Sequence, residues 1–255
     1  MKPKHYILTA IISYLLFTIV TTPAASIFSL IQKDTKLPFT IQGIDGSIWN
    51  GSAERVIIPS APQLENIYWS INPFALLIAN VSASIEAEIM NNILTGDISV
   101  SNDGSYRASD ISTQLSSSTV QKLINLPLGE LSGEFYINIE SIQSTKNIPV
   151  IDGTIAWEKA AYTLADTVNL GTINLIIKPA DSNALKAKIN NKGGDIAISG
   201  EIHIADNKTY KLDLAFAPLE TTNNNIKQSL AMFARKQTDG SYLLRKTGNL
   251  RSFGF

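Results

Sequence analysis

Beyond Thr40 the chain alternates between hydrophobic and polar residues with a period of two over most of its length. Ala83, Ile85, Ala87 and Ile89 are interleaved with Ser84, Glu86 and Glu88, and Leu131, Gly133, Phe135, Ile137 and Ile139 continue in the same style. Further on, Ile196, Ile198, Gly200, Ile202 and Ile204 alternate with Ala197, Ser199, Glu201 and His203, and Tyr210, Leu212, Leu214 and Phe216 with Lys211, Asp213 and Ala215. Successive side chains of a strand point to opposite faces, so each run predicts a strand with one apolar and one wet side, as in antiparallel sheets covered on a single face. Turn signals separate the runs at Asn102-Asp103-Gly104, Lys192-Gly193-Gly194, Asp206-Asn207 and Asp239-Gly240. Helical patterns in this part are short: Asn72–Leu77, with Pro73 in its first turn and Asn72 as cap, Ser117–Ile124, and Ile226–Phe233. The pattern predicts a mainly β body, an antiparallel sheet with a few short helices.

The N-terminus has a different texture. Lys2 and Lys4 precede an uncharged, largely apolar span from Tyr6 to Gln32, and no charged residue appears again until Lys33. Such a span is long enough to cross a hydrocarbon core of about 30 Å as one helix. The two lysines then keep residues 1–5 on the cytoplasmic side and send the rest outward. A cleaved signal peptide competes, because Pro23-Ala24-Ala25-Ser26 offers small residues after an apolar run of signal length. Pro23 sits awkwardly for cleavage and the apolar character resumes at Ile27, Phe28, Leu30 and Ile31, so the expectation is a retained transmembrane anchor over 6–32, followed by a β-rich domain over 38–255.

One stretch stands out within that domain. In Ile41-Gln42-Gly43-Ile44-Asp45-Gly46-Ser47-Ile48-Trp49-Asn50-Gly51 three glycines interrupt an alternating run, and a weaker copy, Ile151-Asp152-Gly153-Thr154-Ile155-Ala156-Trp157, opens the second half. Glycine inside a strand marks a bulge, a bend or a close backbone approach. A Trp set between two of them reads as a bent strand pinning a large ring into the core. Gly43, Gly46, Trp49, Gly51, Trp69, Gly153, Trp157 and Gly200 are accordingly expected to be architectural rather than ligand-binding. Gly96 and Gly200 stand 104 positions apart (200 − 96), as do Tyr106 and Tyr210, while Ile44 and Ile151 stand 107 apart (151 − 44). This spacing suggests a duplicated unit of strands closed by a helix, over about 41–126 and 148–250.

Composition narrows the chemistry. The 255 residues are 44% hydrophobic and 17% charged, with a net charge of −1, so nothing favours a nucleic-acid partner. There is no cysteine, which removes disulfides, thiolate catalysis and Cys-based zinc sites. His5 lies beside the apolar span and His203 falls on the polar face of a strand, without a nucleophile or orienting partner in the sequence. Glu86 and Glu88 share a strand face but form no acid–base pair by spacing alone. Asp45-Gly46-Ser47 lacks the context of a nucleophile elbow, and no glycine-rich loop opens a helix to cradle phosphate. No catalytic, metal or cofactor residue is expected, and the chain does not read as an enzyme.

Taken in order, the apolar N-terminal span, Gly43-Ile-Asp-Gly46-Ser-Ile-Trp49-Asn-Gly51, Trp69 with Asn72-Pro73, Asp152-Gly153-Thr-Ile-Ala-Trp157, Leu170-Gly171, Asn191-Lys-Gly193-Gly194-Asp-Ile-Ala-Ile-Ser-Gly200 and Asp239-Gly240-Ser-Tyr242 resemble the type II secretion system protein N family of Gram-negative bacteria. The resemblance spans nearly the whole chain. It implies a single-pass component of the cell inner membrane with its body in the periplasm, working with other components of the type II secretion system that exports folded proteins across the outer membrane. It transfers no catalytic residue. A more distant resemblance, to AsmA-type proteins, implies a curved sheet and the alternative of a periplasmic β-groove that binds or moves lipid. The tail ending in Phe253-Gly254-Phe255 is assigned no role.

Overall fold

The fold is given by a computed structural model, which describes residues 3–34, 39–59, 62–72, 80–101, 105–124, 126, 128–143, 148–164, 166–180 and 184–250. Two compact units, Met1–Gly104 and Ser105–Phe255, divide the chain. The first holds helices α1 (Pro3–Val20) and α2 (Ala24–Asp34) and strands β1 (Thr40–Gln42), β2 (Asp45–Gly46), β3 (Asn50–Ile57), β4 (Leu64–Ile71), β5 (Asn80–Ile89) and β6 (Asn92–Ser101). The second holds β7 (Tyr106–Ser116), α3 (Ser117–Leu123), β8 (Glu130–Gln143), β9 (Val150–Thr163), β10 (Thr167–Ala180), β11 (Ala184–Lys192), β12 (Ile196–Ile204), β13 (Thr209–Pro218), α4 (Asn224–Phe233), β14 (Arg235–Lys236) and β15 (Tyr242–Asn249). The alternating runs are strands and the protein is mainly β. The predicted helices at 117–124 and 226–233 are present as α3 and α4, whereas 73–77 and the turn at 102–104 lie outside the described residues.

In the first unit β3, β4, β5 and β6 are successive antiparallel neighbours, and the short β1 and β2 both pair with the outer edge of β3. Its core gathers Ala53, Ile67 and Ala87, with Ile41, Ile44, Val56, Leu64, Trp69 and Ile85 packed around them. In the second unit the order is β7-β8-β9-β10-β11-β12-β13-β15-β14, antiparallel throughout. Pairing in register keeps like faces together, so the period-two pattern becomes rows running across the strands. One row reads Ile137, Ile155, Leu175, Ile189, Gly200, Leu214 and Leu244, and the next Ile111, Ile139, Gly153, Ile177, Ala187, Ile202 and Leu212. At one end of this apolar face α4 lays Ile226 and Leu230 against Ile196 and Tyr242, forming the buried core of the unit.

The opposite face is wet and charged. Lys178, Lys186, His203 and Lys211 form one row across β10 to β13, and Lys188, Glu201, Asp213 and Arg245 the next. Like charges opposite one another would repel. Each lysine of the first row instead reaches a carboxylate: Lys178 to Asp152 at 2.5 Å, Lys186 to Glu201 at 2.9 Å and Lys211 to Asp213 at 3.2 Å.

The N-terminal span departs from expectation. It is not one continuous helix over 6–32 but two, α1 and α2, broken at Thr21–Pro23. Pro23 lacks an N–H and disfavours helical geometry at the residue before it. The body fixes the break, since the carbonyl of Thr22 accepts a bond from Ile48 N at 3.1 Å and Pro23 bridges to Ser47. No helix among the described residues is long and apolar enough to cross a membrane.

Candidate functional site

The glycine–tryptophan stretch folds as a tight hairpin. Asp45 and Gly46 pair with Ser52 and Gly51, leaving Ser47-Ile48-Trp49-Asn50 as its tip. Ser47 closes the tip by donating its N–H to the carbonyl of Asn50 at 2.9 Å, while its hydroxyl accepts from Asn50 N at 3.1 Å. Asp45 Oδ1 accepts from Gly46 N at 2.7 Å. Gly46 takes φ +79°, a left-handed backbone, and a Cβ there would stand 2.7 Å from the carbonyl oxygen of Asn50. Gly51 is required for a different reason: the Trp69 ring lies directly against its α-carbon, where any side chain would collide. Gly43, also left-handed, leaves space taken by the Glu54 side chain.

The hairpin is a grip. Trp69 donates its indole N–H to the carbonyl of Ile48 at 3.2 Å, and Trp49, 8% exposed, accepts Ile71 N on its own carbonyl at 2.6 Å. Together these hold the tip against the end of β4. The tip in turn holds the α1–α2 elbow through the Ile48–Thr22 bond and the Pro23–Ser47 bridge. Ala24 is buried to 1% exposure, and Phe28 sets its ring 6.5 Å from that of Trp69. The sequence motif therefore fastens the N-terminal helices to the β body.

Trp157 does comparable work in the second unit. Its ring stacks on Phe135 at 4.9 Å and 11°, and its N–H is shared between the carbonyl of Ser132 at 2.9 Å and Ser117 Oγ at 3.2 Å. Ser117, the buried first residue of α3, donates to the carbonyl of Gly133 at 2.6 Å, and Gln121 clamps Gly129 O and Leu131 N, each at 3.0 Å. Gly153 and Gly200 sit in the apolar rows. A Cβ on Gly153 would stand 2.7 Å from Asn138 O, and one on Gly200 would meet Asp213 O. The structure brings Gly46, Trp49, Gly51 and Trp69 together at the hairpin, with Gly43 beside Glu54, and sets Gly153 and Trp157 apart on β9, opposite Ile139 and Phe135. Gly200 stands apart, on β12.

Sequence reasoning passed over Asn191. Its amide donates to the carbonyls of Leu170 at 2.8 Å, Gly193 at 3.1 Å and Ile196 at 2.7 Å, and its oxygen accepts from Ile198 N at 2.6 Å. One side chain thereby ties β10, β11 and β12. Next to it the carbonyl of Asp195 receives Leu219 N at 3.0 Å and Thr222 Oγ1 at 2.5 Å, which ties the lead-in to α4 to the same turn. The nearest signal is the Asn-Lys-Gly-Gly-Asp run, which reads as a turn and as part of the family resemblance, without a role for the Asn191 amide.

Chemically these groups bind and brace. No cluster of His, Asp and Glu able to hold a metal is found among the described residues. His203 lies 3.1 Å from Glu201 on the open wet face. Lys186, foremost, and His203 hold the Glu201 carboxyl below its ordinary value by hydrogen bonding. The Asp152 carboxylate raises Lys178 above the usual lysine range, with Glu140 assisting. These are surface ion pairs, open to solvent.

The family model of type II secretion system, protein N, matches residues 38–245. The chain belongs to this family. No curated protein and no solved structure matches it. Type II secretion system protein N is a structural component of the secretion machinery and not an enzyme. Membership makes this chain a type II secretion component of the cell envelope, working among the other components of that system. The matched span contains the hairpin, both tryptophan grips and Gly200. It begins after α2 and stops inside β15, and so covers the β body.

Proposed function

We propose that the protein is an inner-membrane-anchored scaffold of the type II secretion machinery, with a curved β body in the periplasm that supports export of folded proteins across the outer membrane. Family membership carries this reading. The face of α1 supports the anchoring: Tyr6, Ile7, Leu8, Ile11, Ile12, Tyr14, Phe17 and Val20 are all exposed, apolar on every side. The hydroxyls of Thr18, Thr21 and Thr22 each bond back to a carbonyl four residues earlier at 2.8–2.9 Å, so their polarity is satisfied within the helix. α1 has 18 residues and a rise of about 1.5 Å per residue makes it about 27 Å long, short of a hydrocarbon core of about 30 Å, so on this reading the bilayer thins around it. α2 then lies at the membrane surface with Leu30 and Ile31 exposed. Deleting the gene should leave type II substrates in the periplasm while their passage through the inner membrane continues. A deletion strain that exports normally refutes the scaffold.

One observation favours a second reading, a lipid groove. In the middle of the second unit's apolar face Ile137, Ile155, Leu175, Ile189 and Leu214 are only half-buried, and α3 and α4 pack elsewhere. Photocrosslinkers placed along this row in living cells discriminate the two: protein adducts support the scaffold and lipid adducts the groove.

A further inference from the structure

The β14–β15 hairpin ends the strand order of the second unit unevenly. β15 runs over Tyr242–Asn249, whereas β14 supplies only Arg235 and Lys236, opposite Leu243 and Tyr242. The cause is local. α4 ends at Phe233 with Ala234 buried as its C-cap, so only the next residues run extended before the turn, where Gly240 N bonds to Gln237 O at 3.2 Å. Among the described residues no strand flanks Leu244–Gly248 on the far side. Alternate residues of an antiparallel strand turn N–H and C=O together toward one neighbour, so about half of these residues direct theirs outward.

The chemistry beside this edge is specific. Phe233, Arg235, Gln237, Leu243, Leu244 and Arg245 line an open cleft of about 420 Å³. Phe233 is half exposed and edge-on to Phe216 at 6.0 Å and 88°, and Met232 before it is 88% exposed. Between residues 235 and 246 stand Arg235, Lys236, Arg245 and Lys246 against a single acid, Asp239. Its carboxylate is taken up by Ser241, at 2.6 Å from the hydroxyl and 3.0 Å from the N–H. The whole chain carries −1, so this positive surplus is a local feature. Register puts cations on both faces: Arg235 shares one with Leu243 and Arg245, and Lys236 and Lys246 share the other with Tyr242, Leu244 and Leu214.

We propose that the open edge of β15 takes up an extended segment of a partner protein as an added strand, one in which carboxylate side chains alternate with apolar ones. The inference rests on the scaffold reading above and names where that scaffold docks. The added strand supplies partners for the outward main-chain groups. Its carboxylates meet Arg235 on one face and compete there with Asp213, which holds Arg245 at 3.0 Å, while its apolar side chains meet Leu244 and Phe233 on the other. A second copy of this chain fits poorly, because pairing edge to edge sets the same cations opposite one another. The chain's own last residues, 251–255, carry Arg251 and no acidic side chain.

The test uses the full chain in detergent micelles and two short fluorescein-labelled peptides, one alternating Glu with Val and one Lys with Val, followed by anisotropy. The Glu peptide should bind saturably and the Lys peptide should not. The variant R235E/K236E, which alters two exposed side chains, should weaken Glu-peptide binding about tenfold while melting at the wild-type temperature. Equal binding of both peptides, binding unchanged in the variant, or self-association through this edge in sedimentation overturns the proposal. In a deletion strain, R235E/K236E should restore export only partly. Export restored to the wild-type level removes the edge and leaves the scaffold standing. A deletion strain that exports normally removes the scaffold instead, and the peptide titration still decides the edge.

Discussion

At the scale of single residues, this protein relies on main-chain bonds made by a few side chains rather than on reactive groups. Trp49 is buried at a hairpin tip that grips both β4 and the N-terminal elbow. Trp49→Ala should therefore cost about 3–5 kcal/mol and lower the amount of protein in cells, checked by thermal melting and immunoblotting. A variant that accumulates and melts normally yet blocks export would move Trp49 from core to interface. The wet face makes a pH prediction. Glu201 is held below its ordinary value by Lys186 and then His203. A depressed carboxylate contributes stability that is present above its unfolded pKa and lost as pH falls through the folded one. The melting temperature should thus decline on the acid side, and Glu201→Gln should make that decline shallower. The effect is small, because the pair is open to solvent.

At the scale of elements, legibility follows from how each element is determined. The strands could be read because each is half-buried and writes its pleat directly into the sequence, as in Ile196–Ile204 with Gly200 and His203 on opposite faces. The left-handed turn at Gly46 and the tight approach at Gly51 were marked by glycines. What fixes the α1–α2 break was not readable, although Pro23 marks its place, since Thr22 and Pro23 are held by Ile48 and Ser47, residues in another element. Nor was the work of Asn191, because an Asn before Lys-Gly-Gly looks like any turn until three strands converge on its amide. α3 was legible at its place, where Ser116 caps Thr119 N, but a remote contact also braces its start, through the Trp157 indole on Ser117 and Ser132 O. Trp157→Phe keeps a ring to stack on Phe135 and removes the donor. It should cost about 1–2 kcal/mol and speed hydrogen exchange in Ser117–Leu123 more than in the strands. Uniform protection across α3 and β9 in that variant would mean the indole bond does not hold the helix.

At the scale of the whole molecule, the contacts of the elbow bear on whether the N-terminal segment stays attached. A signal peptidase working near Ala24 or Ala25 needs those residues extended and accessible. Here Ala24 is buried, Pro23 bridges to Ser47, and the carbonyl of Thr22 holds Ile48 N, all at the tip of the hairpin that the family match covers. Cleavage there would remove the partners that the hairpin tip grips, leaving Ile48 N without its acceptor and the face that covers Ala24 open to water. The grip is therefore suited to a chain that keeps residues 3–34, with the α1–α2 elbow fastened to the β body. The mature protein should stay with the membrane after alkaline extraction and retain its N-terminus, and added protease should reach residues beyond about 33 only from the periplasmic side. N-terminal sequencing that begins at Ala25 or Ser26 would show that the hairpin tip does without its elbow. The motif's glycines and tryptophans would then serve the β body alone.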